Sequence, residues 1–171
     1  EGCAEQLVKS GHFGRANNGL IPVWQRANDQ GAVELGIHPD LNVVDTINNA
    51  MGLYLIGVDP AGDDPLLRDA VQRAGFVIVQ ELFLTETAKL ADLVLPVSAA
   101  VECSGSYISG ERRAQYFGAA VPALKGTKSD QTIISDVLVS LGHPALPASD
   151  KDLINAAFPK VEFNALREIK D

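Results

Sequence analysis

The sequence predicts an α/β domain, with a parallel or mixed sheet carrying helices on both faces in a Rossmann-like rhythm. Three observations lead there. Short apolar runs recur in "LYLIGVDP" (53–60), "FVIVQE" (76–81) and "DLVLPV" (92–97), each closed by turn or polar residues. Between the first two lies "DPLLRDAVQRAG", whose apolar residues fall three and four apart, the period of a helix face. Continuous apolar strands alternating with helices call for a parallel sheet covered by its crossovers.

Taken in order, residues 1–38 read as a glycine-rich arm leading into an α/β domain over 39–171. From Gly11 to Gly36 the chain is loop-like, with no sustained period. Leu41, Val44, Ile47 and Ala50 then recur at a spacing of three, which predicts a short helix with Asp40 as its cap. The run at 53–60 is a buried strand ending in a loop. Asp64 and Pro65 open the next helix, Leu66, Leu67, Ala70, Val71 and Ala74 form its apolar face, and Gly75 ends it. After the second strand, "LTETAKLA" is a helical turn capped by Thr85. Leu55, Val77, Val79, Val94 and Leu95 are expected to be buried on central strands. "SYISGERRAQYFG" has the length and glycine placement of a hairpin or a bent extended segment. Ser129 caps a helix that ends at Gly142, and Ser149 caps a last short one. The tail "PKVEFNALREIKD" is ambiguous.

Composition narrows the function. The net charge of −8 argues against a nucleic-acid surface and against a bare anionic-lipid contact. The apolar runs are far too short to span a bilayer, so no direct membrane insertion is expected. The opening "EGCAEQLVKSG" reads as the middle of a longer protein, a trimmed N-terminus being the alternative. Cys3 and Cys103 have no metal-ligand spacing and read as free thiols, a disulfide being the alternative.

Ligands of open parallel sheets bind beyond the carboxyl ends of the strands. Two segments fall there: "GVDPAGDDP" and "QELFLTETAKLAD". Gly57 would let backbone approach a ligand, and Thr85 and Thr87 could donate hydroxyls. Ordinary turn and cap chemistry accounts for the same residues. No GxGxxG follows a strand and no GxxxxGK[ST] occurs, so dinucleotide and P-loop fingerprints are missing. His12, His38 and His143 are scattered, without a carboxylate at metal-ligand spacing, and no nucleophile elbow is present, so no catalytic or metal residue is assigned. Arg112 and Arg113 could clamp a phosphate or carboxylate, or pair with Glu111 in a hairpin tip.

Three segments, "LYLIGVDP", "QELFLTETAKLADLVLPVSAAVECSGSYISGERRAQ" and "SDQTIISDVLVSLG", together resemble the molybdopterin oxidoreductase domain. The resemblance is firm over about residues 50–142 and looser over 11–38. That domain occurs in formate dehydrogenase catalytic subunits and in the large iron-sulfur subunit of bacterial NADH:quinone oxidoreductase, respiratory complex I. The arm "GRANNGLIPVWQRANDQGAVELG" is most similar to the complex I version. Formate dehydrogenases prefer "GENP" where Gly57-Val58-Asp59-Pro60 stands. They also carry Asn where this chain has Ser109, and Cys103 takes a place usually held by a charged residue.

The resemblance implies a structural domain of an electron-transfer arm, itself not catalytic and holding no cofactor. Iron-sulfur clusters would lie in a missing N-terminal part, because this chain has no cysteine cluster. Its implied partners are the other subunits of a membrane-associated respiratory complex that passes electrons to a quinone. The implied location is cytoplasmic, peripheral on the inner face of the cell membrane. The alternative is the cofactor-binding module of a formate dehydrogenase-like enzyme, with a molybdopterin guanine dinucleotide. Under either reading Gly57, Asp59, Thr85, Thr87, Gly110, Arg112 and Arg113 lie in loops inherited from a pterin-nucleotide site.

Overall fold

The three apolar runs are strands: β1 (Leu53–Ile56), β2 (Val77–Glu81) and β3 (Leu93–Pro96). They pair in parallel in the order β1-β2-β3, with Leu55 opposite Val79 and Val79 opposite Val94. The computed structural model describes residues 2–11, 23–110 and 113–157. The chain divides into two units. One comprises Glu1–His38, Ser106–Tyr116 and Lys160–Asp171; the other comprises Pro39–Gly105 and Phe117–Pro159 and contains the parallel sheet.

In the sheet unit, α3 (Val43–Asn49) and α5 (Pro65–Arg73) cover one face. Ile47, Ala70, Val71, Val77, Val79 and Ala88 form the buried cluster, with Leu53, Leu55, Leu67 and Ala74 packed against it. Leu67, Ala70, Val71 and Ala74 are the stripe of α5 that packs. Leu66 sits just off that stripe in the first turn and is exposed. Asp64 caps α5 by accepting from the Leu66 N–H at 2.8 Å. Asp40 takes a different part from the one expected. Asn42 occupies the cap position of α3, and Asp40 accepts from the Asn42 N–H and the Thr46 hydroxyl across the first turn. Gly75 follows α5, and a Cβ there would lie 2.9 Å from the Met51 carbonyl oxygen, so close backbone approach demands glycine.

The core expectation holds for Val77 and Val79, which are buried. Leu55 and Leu95 are half-buried. Val94 is 37% exposed, because β3 is an edge of the described sheet and not a central strand. The helix α6 (Asp130–Ser140) lies toward the opposite face. Ser129 caps it, accepting from the Thr132 N–H at 3.2 Å, and Gly142, with φ of +82°, follows it. Ser149 caps α7 (Asp150–Ala157) by accepting from the Asp152 N–H at 3.1 Å.

The other unit contains α1 (Gly2–Lys9), α2 (Asp29–Glu34) and most of a hairpin, β4 (Gly105–Ile108) with β5 (Ala114–Phe117). The hairpin agrees with the sequence. Neither α1 nor α2 was expected: α2 forms inside the stretch read as loop. It has one turn and a half and a glycine in it, so it leaves no helical period to read. The Trp24 indole donates to Gln30 at 2.8 Å, and Gln30 donates to Glu34 at 2.6 Å, which supports this short helix through side chains. Much of the arm, and the tail after residue 157, lie outside the described residues. So does His12.

Candidate functional site at the strand ends

Gly57 follows β1 with φ of +62°, the left-handed region that glycine adopts without strain. A Cβ there would meet nothing within 4 Å, so the backbone at this strand end faces open space. Two residues on, Asp59 precedes the single turn α4 (Pro60–Asp63), and Pro60 supplies its fixed φ at the first helical position. This turn lies in a segment that sequence reading left as loop.

Asp59 and Thr87 meet although 28 positions apart. The Thr87 hydroxyl donates to Asp59 Oδ1 at 2.6 Å and its backbone N–H donates to the same oxygen at 2.8 Å. The Thr87 hydroxyl also accepts from the Ala61 N–H at 2.9 Å. Thr87 is fully buried, so its polar groups are committed to bracing the loop after β1 against the loop after β2. The Thr87 hydroxyl, aided by the N–H groups of Thr87, Glu86 and Gly62, holds the Asp59 carboxyl below the usual carboxylate range, against the opposing effect of desolvation.

A pH prediction follows from that depression. A lowered folded value contributes stability that is present above the unfolded value of about 3.9. That stability is lost as pH falls through the folded value. In thermal melts from neutral pH down to about pH 3, Asp59→Asn should lie below the parent at neutral pH, and the gap should close as pH falls. A gap of constant size would show that the charge on Asp59 plays no part.

Thr85 is half-buried, and its hydroxyl accepts from the Ala88 N–H at 3.1 Å, while Thr87 and not Thr85 holds the cap position of the turn at Ala88–Leu90. Its proton has no acceptor among the described residues. Glu86 beside it accepts from Lys89 and Arg68, and these bonds hold it below the usual carboxylate range.

Sequence reasoning passed over Gln80. It is fully buried at the end of β2 on the face opposite the core cluster. Its amide accepts from the Tyr54 hydroxyl and donates to Asp130, tying β1, β2 and the first residue of α6 together. The signal was present: a lone amide inside the apolar run "FVIVQE" must find partners if it is buried.

Beyond β3 lies a polar depression of about 280 Å³, lined by Ser98, Glu102, Cys103, Ser104, Thr127 and Lys128 among others. The Ser98 and Thr127 hydroxyls bond at 2.8 Å, and Glu102 accepts from the Ala99 N–H at 2.8 Å. Cys103 is a free thiol that burial pushes up, so at neutral pH it is not a thiolate nucleophile.

The hairpin residues belong to the other unit. Ser109 N–H donates to the Arg113 carbonyl at 2.9 Å and Arg113 N–H to the Ser109 hydroxyl at 3.3 Å, closing the tip around Gly110. The Asn28 side chain accepts from the Ile108 N–H at 3.0 Å, anchoring the hairpin to the start of α2. Glu111 and Arg112 lie outside the described residues, as do the side chain of Cys3 and any clamp that Arg112 would form. The geometry thus brings Asp59 and Thr87 into contact and leaves Gly57 and Thr85 open at the same end of the sheet. Among the described residues no group of three His, Cys, Asp or Glu could hold a metal ion, and no helix is long and apolar enough to cross a membrane.

Comparisons with known proteins bear on this arrangement. The family model described as molybdopterin oxidoreductase matches residues 4–139. The F420-dependent formate dehydrogenase subunit alpha of Methanocaldococcus jannaschii is 30% identical, over 94% of this chain and 28% of its own length. Formate dehydrogenase H of Escherichia coli is 29% identical, over 79% of this chain and 24% of its own. The NADPH-Fe(3+) oxidoreductase subunit alpha of Geobacter sulfurreducens is 26% identical, over 82% and 21%. The chain spans about a quarter of the length of these relatives.

Proposed function

This chain belongs to the molybdopterin oxidoreductase family, and from that premise we propose that it is the cofactor-binding α/β module of a formate dehydrogenase-like molybdopterin enzyme. The observation that carries the proposal is the open end of the sheet. Gly57 presents bare backbone in a left-handed turn, and Thr85 keeps a hydroxyl proton free, at the edge where parallel sheets take nucleotides. The relatives named as formate dehydrogenases support the substrate class.

The residues fit the nucleotide end of such a cofactor in part. Gly57 and Thr85 would hold it by backbone approach and a hydroxyl donor. Asp59 and Thr87 would not touch it; their mutual bonds fix the two loops that do. When bound, the molybdenum group would supply acceptance of the two electrons released as formate becomes carbon dioxide. This chain's own residues would orient the group at its nucleotide end.

The test is elemental analysis of the protein at its native length. Stoichiometric molybdenum is expected, with the content lowered by Thr85→Val and by Gly57→Val.

A second reading has its own support: a structural domain of the large iron-sulfur subunit of an NADH:quinone oxidoreductase. The arm at 14–36 resembles that version, Ser109 stands where formate dehydrogenases carry Asn, and Asp59 and Thr87 are occupied with each other. Under this reading the module holds no cofactor and the clusters lie elsewhere in the polypeptide. Its partners are the other subunits of a complex peripheral to the inner face of the cell membrane. A molybdenum-free protein that carries iron-sulfur clusters and passes electrons from NADH to a quinone would establish it and overturn the first.

A further inference from the structure

We propose that Gln80 is a positioning residue for the nucleotide end of the cofactor, setting Gly57 through its backbone and the end of β1 through its side chain. The proposal rests on the cofactor-binding reading above. Gln80 is fully buried, so it acts through its neighbours and not by touching a ligand. Its carbonyl oxygen accepts from the Gly57 N–H at 3.0 Å, the bond that ties the left-handed turn to β2. That N–H is therefore committed, and what Gly57 offers to a ligand is its bare Cα, where a Cβ would meet nothing within 4 Å. Where that Cα stands above the sheet is set by where the Gln80 carbonyl stands.

The side chain of Gln80 fixes that carbonyl from the other direction. The Asp130 carboxylate can only accept, so the Gln80 amide nitrogen faces it. The amide oxygen is left for the Tyr54 hydroxyl, which donates. β1 is thus held to β2 on both sides of Ile56, by Tyr54 through a side chain and by Gly57 through the backbone. An amide serves both ends of this chain of bonds. A carboxylate at position 80 would face the Asp130 carboxylate, and an apolar side chain would leave the Tyr54 hydroxyl without that acceptor. Packing does not ask for a polar residue here, since Val77 and Val79 already supply the core on the other face of β2. A buried polar group with every bond made instead selects one arrangement of its surroundings, and the surroundings of Gln80 are the strand end that carries Gly57.

The experiment reads two quantities on the protein at its native length: molybdenum content, and hydrogen exchange of the peptide spanning residues 53–60. Gln80→Glu sets two carboxylates against each other. It should lose molybdenum, and its 53–60 peptide should exchange about tenfold faster, the effect of losing one buried bond to a charged group. Combining Gln80→Glu with Asp130→Asn keeps the parent's net charge and reverses the bond, the new amide donating to the new carboxylate. The double variant should recover both readouts in part. Val79→Ala weakens β2 from the core face without touching these bonds, and it should keep its molybdenum although its urea midpoint falls. Should Gln80→Glu not fold, Gln80→Met, uncharged and of similar length, is read in its place with the same losses expected. Full molybdenum and parental exchange in the position-80 variants overturn the proposal. So does a double variant no better than Gln80→Glu, and so does a Val79→Ala protein that loses molybdenum as Gln80→Glu does. A parent without molybdenum overturns the cofactor-binding reading, and this role with it, before any variant is compared.

Discussion

Val79→Asp is expected to abolish cooperative folding of the sheet unit. Val79 is fully buried on the central strand, paired with Leu55 on one side and Val94 on the other. Its side chain belongs to the apolar cluster with Val71, Val77 and Ala88, which offers a carboxylate neither a cation nor a donor. An unpaired charge buried there costs at least several kcal/mol. The whole stability of a domain is roughly 5–15 kcal/mol, so one such change consumes most of it. Far-ultraviolet circular dichroism with a thermal scan checks this. Leu66→Asp, on the exposed edge of the first turn of α5, is the control and should shift stability by less than about 0.5 kcal/mol. A Val79→Asp protein that melts like the parent would contradict the register of β2.

The second large effect is expected at Thr87. Thr87→Val keeps the shape and removes the hydroxyl. Asp59 loses its shortest bond, and the buried Ala61 N–H loses its acceptor. Leaving a buried donor unsatisfied and weakening a bond to a carboxylate together cost about 3 kcal/mol. Thr87→Ser keeps both bonds and should lose only about 1 kcal/mol for the missing methyl group. Urea unfolding separates the two. If Val and Ser variants unfold at the same midpoint, the hydroxyl is not what braces the loops. The comparison also tests the proposed cofactor-binding reading: if Gly57 holds the nucleotide end, a relaxed loop after β1 moves it, and molybdenum content should fall in Thr87→Val and persist in Thr87→Ser.

How far the sequence could be read depended on whether a signal was local. β1, β2 and β3 were legible because each is a continuous apolar run closed by turn residues. The helices α5, α6 and α7 were legible from period and caps, with Asp64, Ser129 and Ser149 accepting from the first turn as expected. α2 and α4 were not. They are six and four residues long, too short for a period, and contain glycine or proline that reads as loop. Val94 was misjudged because the order of strands, not the composition of a strand, decides which one is an edge. At the site, Gly57 and Thr85 could be named from their place after strands. That Asp59 and Thr87 bond to each other is a contact across 28 positions that no local pattern carries. Gln80 could have been found from its polarity within an apolar run, but its partners Tyr54 and Asp130 could not.

The anchoring of the hairpin to the arm has a consequence for how the chain is made. Asn28 waits for Ile108, and the two are 80 positions apart. At ribosomal speeds the arm leaves the exit tunnel roughly 4–16 s before the segment that holds it has been synthesised. The parallel strands at 53–96 emerge within that interval and are complete before the hairpin exists. The arm therefore leaves the ribosome well before its anchor, and a translational pause placed between the codons for Pro96 and Gly105 would lengthen the time that Asn28 spends without Ile108.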